Sequence, residues 1–292
     1  MNSSIRLKQT IIVGAILLLV AFLFTRDIKG LVKPTEENGK MPASGQMAEG
    51  QAPVSSSVLS IETSSTAAKN VINKNLATDI TALENSYKTA KGTEKIELAK
   101  QLAQKWDDVE QITPSALYLE VVAEGNPSSK SWLASGNRFL KAFESTQDSL
   151  AQPALLQKAN TSFKNALEKD SANIEAKTGL GVTIVNGLGA PMQGIAMLLD
   201  VVSKEPKNVK ANMNLGLFSI KSGQFDKAIP RFKTVIEAAP TPEAYFYLGT
   251  ALENLGRNKE AVDAYLASKK LAANTTLSSF IDKKIAELKN KN

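Results

Sequence analysis

The chain has 292 residues, enough for one or two domains, and its 6% aromatic content with abundant Ala, Leu and Lys suits packed amphipathic helices rather than a sheet. It has no cysteine and no histidine, which excludes thiol nucleophiles, disulfides, iron–sulfur clusters, imidazole bases and the usual zinc sites. The formal charge of +6 is spread along the helical segments among Glu and Asp, with no aromatic-interleaved basic stripe, so it reads as a solvated surface and not as a nucleic-acid face. No cofactor, metal site or catalytic residue is expected.

The first predicted element is the uncharged run from Ile11 to Phe24, flanked by Arg6 and Lys8 on one side and by Arg26 on the other. It is either a signal peptide or a signal anchor. The run is shorter than the roughly 20 residues of a full span, but Lys8 and Arg26 can extend their charges outward. No pair of small residues suitable for cleavage follows it, which favours an uncleaved transmembrane helix in contact with the bilayer over about residues 10–25. Lys29 and Lys33 balance the N-terminal charges. Export of the following domain is the expected orientation, since first segments of this kind direct export. Residues 1–33 are thus a cytoplasmic stub and anchor.

From Pro34 the composition turns to Pro, Gly, Ser, Thr, Gln and Glu, and residues 34–67 cannot bury enough surface to offset chain entropy. They are read as a disordered linker. Residues 68–92 form a lead-in helix, with Val71, Ile72, Leu76, Ile80, Leu83 and Tyr87 at helical spacing. Residues 93–292 are predicted to be a series of helical hairpins.

The hairpins repeat. One unit carries Leu215, Gly216, Gly223, Phe225, Ala228, Phe232, Val235 and Pro240, and the next has Tyr245, Leu248, Gly249, Gly256, Ala261 and Tyr265 in the same slots. The preceding unit has Leu180, Gly181, Gly194, Leu198, Val201 and Pro206. Gly181, Gly216 and Gly249 recur at steps of 35 and 33 residues, and Gly194, Ala228 and Ala261 at 34 and 33. Upstream, Trp132, Gly136, Phe139, Ala159, Phe163 and Ala166 form a divergent unit. Its step from Gly136 to Ala159 is 23 residues where the regular unit has 12, so the stretch around Ser145 to Pro153 lengthens the helices or loops out. Lys95–Trp106 and Pro114–Pro127 form a more degenerate unit, and Leu277–Leu288 reads as a capping helix.

This pattern resembles the tetratricopeptide repeat, W-x₂-L-G-x₂-Y followed by A-x₃-F and P over 34 residues. The resemblance spans roughly residues 93–290, strongly in three units and weakly in two. It implies an all-α solenoid, a right-handed superhelix whose inner surface is lined by the first helix of each hairpin and holds a peptide segment or partner protein. Gly216 and Gly249, facing Ala228 and Ala261, are expected to let paired helices approach closely, while Phe232 and Tyr265 fill the gap to the neighbouring pair.

Mapping the inward positions gives candidate contacts Lys130, Asn137, Lys141, Asn186, Lys210, Met213, Leu217, Lys221, Phe246 and Asn254, with Leu133, Glu175, Thr178, Val182, Glu243 and Thr250 beside them. The asparagines can serve peptide backbone as donor and acceptor, the lysines Lys141, Lys210 and Lys221 can receive an acidic group, and Val182, Met213, Leu217 and Phe246 supply an apolar patch. The alternative for each is packing between hairpins or plain solvation. The carboxylate clamp of chaperone-binding relatives is not matched, because Leu133, Gly179 and Asn214 stand at clamp positions.

Other readings are weaker. The carboxylates Asp107, Asp108 and Glu110, or Glu168 and Asp170, would need a cleft to do acid–base work, yet they fall near predicted helix ends. The stretch Gly187–Pro191 lacks the Gly-Lys-Ser/Thr ending of a phosphate loop. Self-association into a homo-oligomer, with the protein as a structural spacer, is the alternative function. The expected protein is a single-pass bacterial inner-membrane scaffold with its repeat domain in the periplasm, serving an envelope assembly or an export-related complex.

Overall fold

The computed structural model describes residues 59–188, 191–272 and 275–290; the apolar run at 11–24 and most of the expected linker lie outside the described residues. The described residues form thirteen α-helices and no strand. They are α1 (Ile61–Lys69), α2 (Lys74–Thr89), α3 (Gly92–Asp108), α4 (Ile112–Gly125), α5 (Ser129–Ser145), α6 (Gln152–Lys169) and α7 (Ile174–Val185). The remainder are α8 (Pro191–Lys204), α9 (Val209–Lys221), α10 (Phe225–Ala238), α11 (Pro242–Asn254), α12 (Asn258–Leu271) and α13 (Thr275–Asn290). Among the described residues no helix is long and apolar enough to cross a membrane.

Five hairpins follow one another: α3 with α4, α5 with α6, α7 with α8, α9 with α10, and α11 with α12. First helices also touch in succession, α5 with α7, α7 with α9 and α9 with α11, which is the arrangement of a solenoid. The helix α13 packs on α12, and α1 and α2 lie against α4 and α3.

Local chemistry sets the boundaries. First helices begin at side-chain caps, where Ser128, Asn173, Asn208 and Thr241 accept a backbone N–H from three residues on. Hairpin turns use a different device. Gly223 and Gly256 adopt φ of +71° and +70°, and the following N–H groups of Gln224 and Arg257 bond back to Ser219 and Leu252 at 2.8 and 2.9 Å. The same turn closes α3 onto α4, with Gln111 N–H bonded to Trp106 at 2.9 Å, but there Glu110 holds the left-handed position at φ +57°. A carboxylate residue where the later units have glycine explains why this hairpin is hard to read in the sequence.

The hairpins close by placing a bulky residue of the second helix on a glycine of the first. A β-carbon added to Gly136, Gly216 or Gly249 would lie 2.8, 2.7 or 2.8 Å from the ring of Phe163, Phe232 or Tyr265 respectively. All three rings are fully buried. The ring of the same hairpin is thus the nearest neighbour of Gly216 and of Gly249, and Ala228 and Ala261 are buried as well. In the α7–α8 unit Leu198 replaces the ring and Gly181 approaches the Gly194 carbonyl. Residues 145–153 resolve the long step of the divergent unit in both ways, since α5 and α6 reach 17 and 18 residues and a short loop joins them.

The expected lead-in helix is also corrected. Helix starts at Ile61, capped by Ser60 in a reciprocal bond with Thr63, and it breaks between Lys69 and Lys74, where Asn73 caps a new helix. Val71 and Leu76 are exposed, at 72% and 43%, while Ile80 is buried and Ile72, Leu83 and Tyr87 pack partly buried against the same core. A buried carboxylate ties the pieces together. Glu84 of α2 accepts bonds from Ser65 and Lys69 of α1, both at 2.6 Å, and from Tyr118 of α4 at 3.2 Å. At the other end Glu253 of α11 accepts from Tyr265 at 2.7 Å and from Lys284 of α13 at 3.0 Å.

This packing makes two features of the hairpins measurable. Gly216→Ala should cost about 1–3 kcal/mol by overpacking against Phe232, whereas Glu110→Gly should gain about 1 kcal/mol by relieving left-handed strain; urea unfolding of each variant reads both. Burial, and then the carboxylates Glu84 and Glu253, push the Tyr118 and Tyr265 hydroxyls far above their ordinary value of 10.0. The unfolded chain loses those protons first, so their stabilisation is complete below pH 10 and drains away above it. Tyrosinate absorbance and helical circular dichroism followed together in alkali should show these two ionising only as helix is lost, and Tyr118→Phe should make the fall in stability shallower.

Candidate partner-binding face

The first helices α5, α7, α9 and α11 form one continuous face, and a polar bridge reveals its curvature. Asn137 of α5 donates to Glu175 of α7 at 2.8 Å and accepts from Lys210 of α9 at 3.0 Å. On a flat array α5 and α9 would lie two interaxial steps apart, about 16–20 Å, with α7 between them. A direct bond between their side chains past α7 fits helices that curl toward this side, which makes the face concave.

Beneath the bridge lies the Phe163 ring, with the Lys210 ammonium 6.0 Å from its centroid. Gly179 leaves the opening that lets Phe163 approach α7. Burial pushes Lys210 below the ordinary lysine value, with Glu175 and Glu144 opposing. Next to the bridge a recess of about 370 Å³ opens between the starts of α7 and α9, lined by Glu175, Thr178, Glu205, Asn208 and Lys210 among others.

The structure thus joins Asn137 and Lys210, and adds Glu175 as the third member of their bridge. Lys130, Lys141, Lys221 and Asn254 are exposed, and Asn186, Met213, Leu217 and Phe246 are half-buried. Thr178 and Val182, at 1% exposure each, are core residues, which corrects their expected place among the contacts. The asparagines are less free than their residue type suggests. Each commits an amide hydrogen within the protein, Asn186 to the Val182 carbonyl at 2.9 Å and Asn254 to the Thr250 carbonyl at 2.8 Å. The side-chain oxygens and second amide hydrogens of Asn186 and Asn254 have no bonding partner among the described residues.

The far half of the face is apolar. Met213, Leu217 and Ile220 of α9 and Phe246 of α11 rest on the C-terminal core with part of their surface open. Phe246 meets Tyr265 and Phe280 at centroid distances of 5.6 and 5.9 Å, and Phe280 of α13 is 48% exposed. Sequence reasoning missed Ile220 and Phe280. The signal was present, since Phe280 stands one repeat step after Tyr247.

The acidic clusters weighed for catalysis have structural partners or lie in water. Asp107 pairs with Arg138 at 2.6 Å, Asp108 accepts from Gln104 at 2.7 Å, and Asp170 accepts the Ala172 N–H at 3.1 Å. Glu168 is exposed. Among the described residues no three His, Cys, Asp or Glu are grouped to hold a metal ion.

Comparison with known proteins agrees with this architecture. Residues 220–274 match the tetratricopeptide repeat family model. The solved structure of TTC0263, a thermophilic tetratricopeptide repeat protein of Thermus thermophilus, is 17% identical and superposes with a TM-score of 0.51 over 66% of this chain and 98% of that one. Other similar structures are a MamA mutant, with 26% identity over 56% of this chain and 87% of that one at TM-score 0.44, and YrrB, with 17% identity over 64% and 91% at 0.42. YrrB is described as a tetratricopeptide repeat protein with an unusual peptide-binding site. No curated protein matches the sequence. Residues 220–274 thus carry a tetratricopeptide repeat, and the described residues share the fold of a solved tetratricopeptide-repeat protein.

The bridge generates a prediction about its lysine. Lys210 should titrate below the ordinary value of 10.5 when followed by NMR of isotopically labelled lysine side chains. Asn137→Ala should lower it further, because the ammonium form loses an acceptor.

Proposed function

We propose that the protein is a membrane-tethered scaffold that holds segments of partner proteins on the concave face of α5, α7, α9 and α11. The observation that carries the reading is the division of that face. A hydrogen-bonding half around Asn137, Glu175 and Lys210 adjoins an apolar half around Met213, Leu217 and Phe246, and both keep surface open to solvent. Such a face offers specificity through polar groups and affinity through apolar ones. Lys130, Lys141, Lys221, Asn186 and Asn254 complete the proposed contact set. The tether rests on the apolar run from Ile11 to Phe24 with its basic flanks. In this reading the repeat domain lies on the periplasmic side of a bacterial inner membrane, in an envelope assembly or an export-related complex.

The test is affinity capture of the crosslinked full-length protein, compared with a variant in which Asn137, Asn186, Lys210 and Asn254 are all replaced by Ala. Loss of partners from a variant that remains helical and soluble is the expected result. An unchanged set of partners would move binding off this face. Recovery of only the protein itself would replace the reading with self-association.

A further inference from the structure

We infer that the occupant of the apolar half is a partner segment carrying large apolar side chains beside acidic ones, seated across α9, α11 and α13. This deepens the proposed function and rests on it, naming the part of the face that is used and the chemistry it takes.

Two observations fix the place. Toward the N-terminal side the face is already bridged by its own residues, because Lys210 spends its ammonium on Asn137 and Asn137 spends its amide on Glu175. A partner there must displace internal bonds. Toward the C-terminal side Leu217, Ile220 and Phe246 have their inner surfaces packed and their outer surfaces open, and Phe280 adds a half-exposed ring in contact with Phe246. Large apolar residues brought together in this way, rimmed by charge, mark a surface that is covered in use.

Charge fixes the partner. Lys221 stands one helical turn beyond Leu217 on α9, and Lys283 one turn beyond Phe280 on α13. Both are exposed, and among the described residues neither is in an ion pair. Other lysines of this region are committed to carboxylates: Lys284 to Glu253 at 3.0 Å and Lys269 to Asp282 at 2.6 Å. Glu253, the carboxylate nearest this end of α11, is taken up by Lys284 and the Tyr265 hydroxyl. Lys221, whose ammonium lies 5.7 Å from the Phe218 ring centroid, ends α9, and Lys283, with the exposed Glu287 one turn further on, lies mid-way along α13. Both thus offer a charge without an ion pair among the described residues, while Glu243, one turn before Phe246, is exposed near the start of α11. A bound segment would place its carboxylates toward Lys221 and Lys283 and its apolar side chains against Leu217, Phe246 and Phe280.

The experiment uses the purified full-length chain and two fluorescent synthetic peptides with the same Leu and Phe residues, one with Asp and one with Lys between them, read by anisotropy. Tighter binding of the acidic peptide is expected, weakened by salt. The double variant Lys221→Glu with Lys283→Glu should lose about tenfold in affinity for it and gain for the basic peptide. Phe280→Ser should weaken both peptides, and reversal of Lys164 and Lys233, exposed on second helices, should change neither. Equal binding of the two peptides, binding of neither, or indifference to the Lys221 and Lys283 reversal would overturn the inference. If capture still depended on Asn137, Asn186, Lys210 and Asn254, the broader reading would survive that failure.

Discussion

Each regular hairpin of this protein depends on a side chain of its second helix lying where its first helix has only a hydrogen. Phe163, Phe232 and Tyr265 are wholly buried against Gly136, Gly216 and Gly249. Burying such a ring contributes about 1.5–3 kcal/mol, and it does so only because no β-carbon separates ring from backbone. The spacing of the two helices, and so the stacking of hairpins on one another, follows from that contact. Where Leu198 stands in place of a ring, the closest approach passes to the backbones of Gly181 and Gly194. The geometry is kept by a different pair of residues.

The same contact shapes the candidate partner-binding face. Phe163 is reached from α5 through Gly136 and from α7 through Gly179, which draws three consecutive elements onto one ring. Lys210 then hovers over that ring and bonds Asn137. Curvature, core packing and surface chemistry are coupled there, because the residues that close the core also bring the first helices near enough for polar groups to meet. Further along, Tyr247 stacks with Phe232 and Phe246 packs at a tilt against Tyr265, so the aromatic residues of the apolar half are continuous with the hairpin cores. The exposed apolar surface rests on packed core residues, which would limit the entropy lost on covering it.

The two ends of the solenoid are fastened by carboxylates, one buried and one partly buried. Glu84, at 6% exposure, gathers Ser65, Lys69 and Tyr118, and Glu253 gathers Tyr265 and Lys284. A terminal hairpin lacks one neighbour, so an added helix must cover its core, and a charged acceptor in low-dielectric surroundings makes that docking specific.

The sequence by itself determined the hairpins from α5 onward, because Gly, Ala, aromatic and Pro residues recur in phase and each has a local physical task. It determined the glycine turns at Gly223 and Gly256 for the same reason. The α3–α4 hairpin was only faintly legible, since Glu110 takes the left-handed turn position, and the break after Lys69 was hidden by an apolar spacing that continues through it. Only the tertiary structure decided the state of the site. Residue type said that Asn137 and Lys210 could bind a partner, but whether a polar group is free depends on what another helix places beside it, and Glu175 and Lys210 come from 38 and 73 residues away. It likewise moved Val182 into the core and brought Phe280 beside Phe246, because burial is a property of the assembled stack and not of any one helix.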